Sequence, residues 1–361
     1  MASAWDATFS PRSIDRYTVP SSARSARSPS IFFSPPFSMA VVCAQAVDSW
    51  PIWNLQGYGV EDCEETPIWE LDDCEETAEL GSGSFGTVTK AWSYKTGESV
   101  AIKTLGSSSH DAVRREADLL RACHGHLNIV QLRDMSFDRN ADRLSLVMEY
   151  VGPSLHDVLH RARRGCPFQE DVVRFLMRQL LSGADHMHRL CHVVHRDIKP
   201  ENVLVGDGVK ICDFGLAMSM SQAPPYGHRG TRSYMAPEIL LGKPDYDATV
   251  DAWSLGCVMA ELLLGERLFG RAADDADQLL RIFYVLGVPD QISWPSYNSM
   301  PLAGELVAPP SIPHRNRLRE VFPEDCLSRQ GFQVLSGLLS CDAGKRLSAA
   351  DALELPWFTT N

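Results

Sequence analysis

Nowhere in the 361 residues does an apolar run approach the ~18 residues that a membrane-spanning helix requires. The longest candidate, Met39 to Val47, is short and interrupted by Gln45, so no membrane partner is expected. Paired cysteines are lacking too. Ten cysteines are scattered along the chain with no CxxC pair and no Cys/His spacing of the zinc kind, which points to reduced thiols in a nuclear or cytoplasmic setting. Between Glu61 and Glu79 lysine and arginine are missing altogether, while ten acidic residues accumulate (Glu61, Asp62, Glu64, Glu65, Glu70, Asp72, Asp73, Glu75, Glu76 and Glu79). The whole chain holds 34 basic against 46 acidic residues, a formal net charge of −12. The shortage of positive charge excludes a chain built to coat nucleic-acid phosphates. Any phosphate chemistry must be confined to one site.

A hydrophobic share of 44% with 22% charged residues suits a globular protein of roughly two core-forming units of ~150 residues each. The first 38 residues stand apart. They are rich in Ser, Pro and Arg without any sustained period, so they are expected to be disordered. Their Ser and Arg content also resembles an organellar transit segment, against which Asp6 and Asp15 count. Ser10, Ser28 and Ser34 each precede a proline and are candidate phosphorylation sites. The sequence EDCEET at Glu61 recurs as DDCEET at Asp72, and two copies are too few for a solenoid. Residues 1–72 therefore divide into a Ser/Pro/Arg-rich extension and an acidic linker, with the folded part at residues 73–358.

Within that part the pattern is α+β. GTVTKAW, ESVAIKTL, IVQLRDMSF and LSLVMEYV read as four β-strands, with one helix, DAVRREADLLRAC, among them. From Leu155 onward the periodicity is helical. A small β-rich lobe (73–151) is thus followed by a larger helical one (152–358), and Gly152 and Pro153 at the junction suit a hinge.

The segment GSGSFGTV places Gly81, Gly83 and Gly86 where backbone can lie against phosphates with no Cβ in the way. A dinucleotide site has the same glycine spacing, but there the motif opens a helix. Here Thr87 to Trp92 reads as strand and the next strand carries Lys103. An ammonium among apolar neighbours needs an anionic partner, and Glu116 on the following helix can supply it. Asp197 and Lys199 in HRDIKPEN can, respectively, accept a hydrogen bond from a substrate hydroxyl and neutralise charge on a moving phosphoryl group. Asn202 and Asp213 are hard oxygen donors suited to Mg²⁺.

These motifs match the signature set of protein kinases, and the chain resembles that family from about Cys74 to Phe358. The resemblance implies a bilobal fold with one regulatory helix in the β-rich lobe. It also implies ATP and Mg²⁺ as cofactors, and protein Ser/Thr rather than Tyr as acceptor. By resemblance, the nucleotide site comprises Gly81, Gly83, Ser84, Gly86, Val88, Ala101, Lys103, Glu116, Met148, Glu149, Val151 and Leu204. Met148 corresponds to the gatekeeper, and Glu149 to Val151 to the hinge. Thr231 is implied to contact Asp197, Glu238 to pair with Arg346, and Asp251 to brace the catalytic loop.

The stretches Ala276 to Pro301 and RLSAADALELPWF are similar to the cyclin-dependent kinase branch. Four positions depart from it. HDAVRRE stands where that branch carries a PSTAIRE-like cyclin-binding motif, so a cyclin-like regulator is only one option for partner beside protein substrates. Ser84 and Phe85 replace the inhibitory Thr-Tyr pair, Tyr226 stands where an activating threonine is expected, and Met235 replaces the arginine before APE. Ser84 and Tyr226 are the regulatory candidates, and Arg196 implies an anion pocket. The alternative to an active enzyme is a kinase-fold scaffold that works by binding.

Overall fold

The computed structural model describes residues 74–83, 86–105, 110–138 and 141–359. Ser84 and the proposed extension and linker of residues 1–72 lie outside them.

The N-terminal lobe is a five-stranded antiparallel sheet in the order β1-β2-β3-β5-β4: β1 (Cys74–Gly83), β2 (Gly86–Ser93), β3 (Glu98–Thr104), β4 (Leu132–Asp138) and β5 (Arg143–Glu149). The sequence pattern anticipates four of these. The additional strand, β1, escapes detection because it is an edge strand exposed along almost its whole length, so its residues show no alternation between core and solvent. Glu75, Glu76 and Glu79, the three clustered acids that fall within the expected folded part, are strand residues. Helix α1 (His110–Ala122) packs on this sheet through Val113, Glu116, Ala117 and Leu120, the i, i+3, i+4, i+7 stripe of an amphipathic helix.

In the C-terminal lobe, α2 (Glu170–Asp185) buries Val173, Leu176, Met177, Leu180 and Leu181. The short strands β6 (Val193–Val194), β7 (Val203–Val205), β8 (Val209–Ile211) and β9 (Met218–Ser219) form two ladders, β6 with β9 and β7 with β8. After the short α3 (Pro237–Leu240) comes α4 (Thr249–Leu264), in which every residue beyond Thr249 is buried. A helix apolar on all sides belongs at the centre of a lobe. It ends at Gly265, whose φ of +79° is a left-handed cap. Helices α5 (Asp275–Leu286), α6 (Leu318–Val321), α7 (Arg329–Leu338), α8 (Ala349–Leu353) and α9 (Pro356–Thr359) complete the lobe.

The junction between lobes is held rather than loose. Gly152 has φ +157°, and a Cβ there would stand 2.1 Å from the Val205 carbonyl oxygen, so no other residue fits without moving β7. The Pro153 carbonyl accepts the Val205 N–H at 2.9 Å. Chain reversal is thus anchored on the C-terminal lobe.

Candidate active site

A cleft of about 790 Å³ lies between the lobes. Fourteen of the sequence-predicted residues line it: Gly81, Gly83, Gly86, Val88, Ala101, Lys103, Met148, Glu149, Val151, Lys199, Asn202, Leu204, Asp213 and Thr231. Glu116 reaches it only through Lys103. Tyr226 lies elsewhere, in the segment after β9.

Strand β3 aims Lys103 into the cleft on the face it shares with Ala101, while Ile102 between them packs on the opposite face with Val100 and Val147. The Lys103 ammonium donates to both Glu116 oxygens, at 2.7 and 2.9 Å, and to Asp213 Oδ1 at 2.6 Å. Its side chain is only 6% exposed. Burial alone would push the Lys103 pKa down, but the two carboxylates outweigh it and hold it above the usual lysine value. Burial likewise favours the neutral form of Asp213, and the facing ammonium overrides it, leaving that carboxyl below its ordinary range. The Glu116 carboxyl goes the other way: burial holds it above its ordinary range, with the nearby Asp213 adding to the shift and Lys103 opposing it.

Asp213 has φ +66° and Arg196 φ +68°. Left-handed backbone at non-glycine residues is strained and persists where the surroundings over-determine it. Those surroundings are visible. Phe214 is buried edge-on against His195, ring centroids 5.1 Å apart. The Asp251 carboxylate, fully buried in α4, accepts the His195 N–H at 2.7 Å and the Arg196 N–H at 2.8 Å, and lies 2.8 Å from His188 Nε2. Burial opposes the ionised Asp251, yet these partners keep its carboxyl below the usual range. A buried carboxylate held by several N–H donors is a rigid bracket for the loop that carries Asp197.

Asp197, 4% exposed, is the meeting point of the catalytic loop. Its Oδ1 accepts the Thr231 hydroxyl at 2.7 Å and its Oδ2 accepts Lys199 Nζ at 2.7 Å, while the same ammonium donates to Thr231 Oγ1 at 2.7 Å. Asn202 donates its amide to Asp197 O at 2.9 Å and Oδ2 at 3.1 Å, leaving the amide oxygen as the end a cation would use. Asn202 and Asp213 line the same cleft with hard oxygen donors, a donor set that fits Mg²⁺.

Arg196 has its own set of partners. Its Nε donates to Leu216 O at 2.7 Å and its Nη1 to Tyr226 O at 3.0 Å and Tyr246 Oη at 3.3 Å. Tyr246 in turn donates to Gly227 O, and the Tyr226 ring meets Tyr246 edge-on at 5.4 Å. The anion pocket expected at Arg196 is filled by main-chain carbonyls. In the C-terminal frame, Arg346 forms a bidentate pair with Glu238 at 2.7 and 2.8 Å, with both side chains at or below 1% exposure.

Some lining residues carry no signal that sequence reasoning used. His156, Asp157, Arg161 and Cys212 face the cleft. Only Cys212, directly before Asp213, could have been found by motif position. Below the cleft, buried Glu261 joins His160 (2.7 Å) to the Tyr234 hydroxyl (2.6 Å), which accepts from Arg267, itself bonded to Glu201. That network draws on four separated segments and has no local pattern.

Residues 74–358 match the family described as "Protein kinase domain". The putative cyclin-dependent kinase F-2 of Oryza sativa subsp. japonica is 46% identical over 293 residues, covering 78% of this chain and 88% of that protein. Cyclin-dependent kinase G1 of Arabidopsis thaliana is 36% identical over 80% of this chain, and the serine/threonine-protein kinase ICK of Rattus norvegicus is 35% identical over 78%. This chain spans 49% and 44% of those two longer relatives.

Proposed function

The chain belongs to the protein kinase family, on its cyclin-dependent branch, and from that premise we propose how its site works. It is a serine/threonine protein kinase, with ATP as the phosphate donor and protein hydroxyls as acceptors. The observation that carries the assignment of roles is the Asp197 carboxylate, shared between Lys199 and Thr231 at the mouth of the nucleotide cleft.

Lys103, kept charged by Glu116, orients the α- and β-phosphates. Asp197 accepts a hydrogen bond from the substrate hydroxyl and fixes its lone pair on the γ-phosphorus, and Lys199 offsets charge on the transferring group. Thr231 holds Asp197 in the rotamer this requires. Asn202 and Asp213 would hold Mg²⁺, which supplies charge neutralisation on the phosphates when bound. Little of this is covalent chemistry: the rate comes from positioning and from preorganised charge. The scaffold alternative gains no support, since each of Lys103, Glu116, Asp197, Asn202 and Asp213 is present and engaged.

Two finer readings follow. The Lys103–Glu116 pair is closed in the single chain, and the exposed residues of α1 before its final Ala122, namely Asp111, Arg114, Arg115, Asp118 and Arg121, are all charged. Both features favour a kinase whose α1 is seated without a cyclin. Purified protein with Mg-ATP is expected to phosphorylate a generic basic-protein substrate, with Asp197→Asn abolishing transfer. Activity that appears only on adding a cyclin would overturn the partner reading, and full activity in Asp197→Asn would overturn the role of Asp197.

A further inference from the structure

Arg196 directly precedes Asp197, so whatever holds its guanidinium also holds the catalytic loop against the activation segment, Asp213 to Glu238. Three contacts tie that segment to the loop. Near its start the Leu216 carbonyl accepts Arg196 Nε at 2.7 Å, and toward its end Thr231 bonds both Asp197 and Lys199 at 2.7 Å. Between them Arg196 Nη1 donates to the Tyr226 carbonyl at 3.0 Å and to Tyr246 Oη at 3.3 Å. Tyr246 lies outside the segment, buried between α3 and α4. Its hydroxyl donates to the Gly227 carbonyl at 2.9 Å and its ring meets that of Tyr226 edge-on, while the Pro244 carbonyl accepts the Tyr226 N–H at 3.0 Å. The chain at Tyr226 and Gly227 is thereby pinned from both sides. Gly230 adds a close approach, since a Cβ there would stand 2.5 Å from the Arg196 carbonyl oxygen.

A phosphate can order such a segment by presenting oxygens to an arginine. Here two carbonyls and a phenol supply the oxygens, and the charged donor makes these bonds stronger than neutral pairs. Tyr226 itself turns its carbonyl to Arg196, and a phosphate reaching the guanidinium would have to displace bonds already made. Building on the kinase reading, we propose that Tyr246 is a positioning residue that closes the activation segment onto Arg196, so that the enzyme is fully active with the segment unphosphorylated. Tyr246 touches no reacting atom. It acts through Arg196 and the stretch up to Thr231, which together set the position of Asp197.

The full chain, freed of phosphate with a broad-specificity phosphatase that is then removed, and checked by mass spectrometry, is assayed with Mg-ATP and a generic basic-protein substrate. Transfer is expected from the first turnover, and prior incubation with Mg-ATP and an activating kinase should change kcat by less than about twofold. A lag, or a gain of about tenfold once the segment carries phosphate, overturns the proposal. Tyr246→Phe keeps the ring against Tyr226 and leaves the Gly227 carbonyl short of its donor. Its kcat is expected to fall about tenfold with KM for ATP unchanged, and amide exchange to rise across residues 217–230 but not in α4. Full activity, or a lowered Tm with kcat per folded molecule intact, rejects Tyr246 as a positioning residue. Amide exchange reads the closure without turnover. Slow exchange in the phosphate-free protein that Tyr246→Phe accelerates, in a chain that transfers nothing, would overturn the kinase reading and leave the closure supported. Fast exchange across 217–230 in the unmodified protein overturns the closure itself.

Discussion

In the helical lobe the catalytic loop is positioned by its own main-chain N–H groups, bound to one buried carboxylate, Asp251. In the sheet lobe the nucleotide lysine is positioned by side-chain carboxylates from two different elements, Glu116 on α1 and Asp213 after β8. The first arrangement belongs to a frame centred on α4 and bolted by Glu238 and Arg346, which cannot rearrange without exposing buried charge. The second joins the two lobes through a few ammonium contacts, which separate whenever α1 or the Asp213 segment moves. The same family of charged hydrogen bonds thus serves as a fixed mount on one side of the cleft and as a releasable latch on the other.

Breaking the mount should have the largest effect on stability. Arg346→Ala strands Glu238 as an unpaired buried charge, a cost of about 3–5 kcal/mol, so Tm in scanning fluorimetry should fall by roughly 10 °C. A negligible shift would mean that the frame is not the rigid half. Asp251→Asn is the next test: it replaces one acceptor oxygen with a donor facing a main-chain N–H, for a loss of about 1–3 kcal/mol, and stability and turnover should fall together. Glu116→Gln addresses the latch. Turnover is expected to drop by about a hundredfold, ~2.7 kcal/mol in the barrier, with a much smaller change in Tm. A large Tm loss there would erase the distinction between mount and latch.

The loop joining α1 to β4 supplies a pH test. His126, its ring tilted against that of His186 at 4.7 Å and near Ser182, Asp185 and Lys210, is depressed to about 4, by burial first and the facing His186 second. The unfolded chain takes up that proton near pH 6.5, whereas the folded chain does so only near 4. The contribution of His126 to stability is therefore complete above about 6.5 and is lost as pH falls from there to 4. Replacing it by Gln should flatten that slope in pH-dependent unfolding. Tyr226→Phe should matter least. Arg196 uses the Tyr226 carbonyl rather than its hydroxyl, so activity should stay within about twofold, and a collapse would place the Tyr226 hydroxyl in the regulation of the segment.

How far the sequence could be read depended on whether a feature had a local signature. Lys103, Asp197, Asn202 and Asp213 sit in compact motifs, and the stripe Val113, Glu116, Ala117 and Leu120 announces α1 by its period. Strand β1 gave no period because neither of its faces is covered. The partners of Arg196 were illegible for another reason: carbonyls of Leu216 and Tyr226 are common to every residue type, so only the chain's path reveals them. Glu149 reads as a hinge residue, yet its carboxylate also accepts Lys210 at 2.7 Å and the Gln131 N–H at 2.9 Å, a tie across the lobes that spacing alone does not contain.

Among the described residues, strand β1 pairs within the sheet only with β2 and so forms its border. Long exposed borders invite sheet-to-sheet growth between molecules, and charge is a common defence against it. Glu75, Glu76 and Glu79 give this border one sign of charge, so two copies approaching edge to edge meet like charges before they can form a ladder. The local acidity that excludes a nucleic-acid coat thus also sets like charges along the border where two nucleotide lobes would meet.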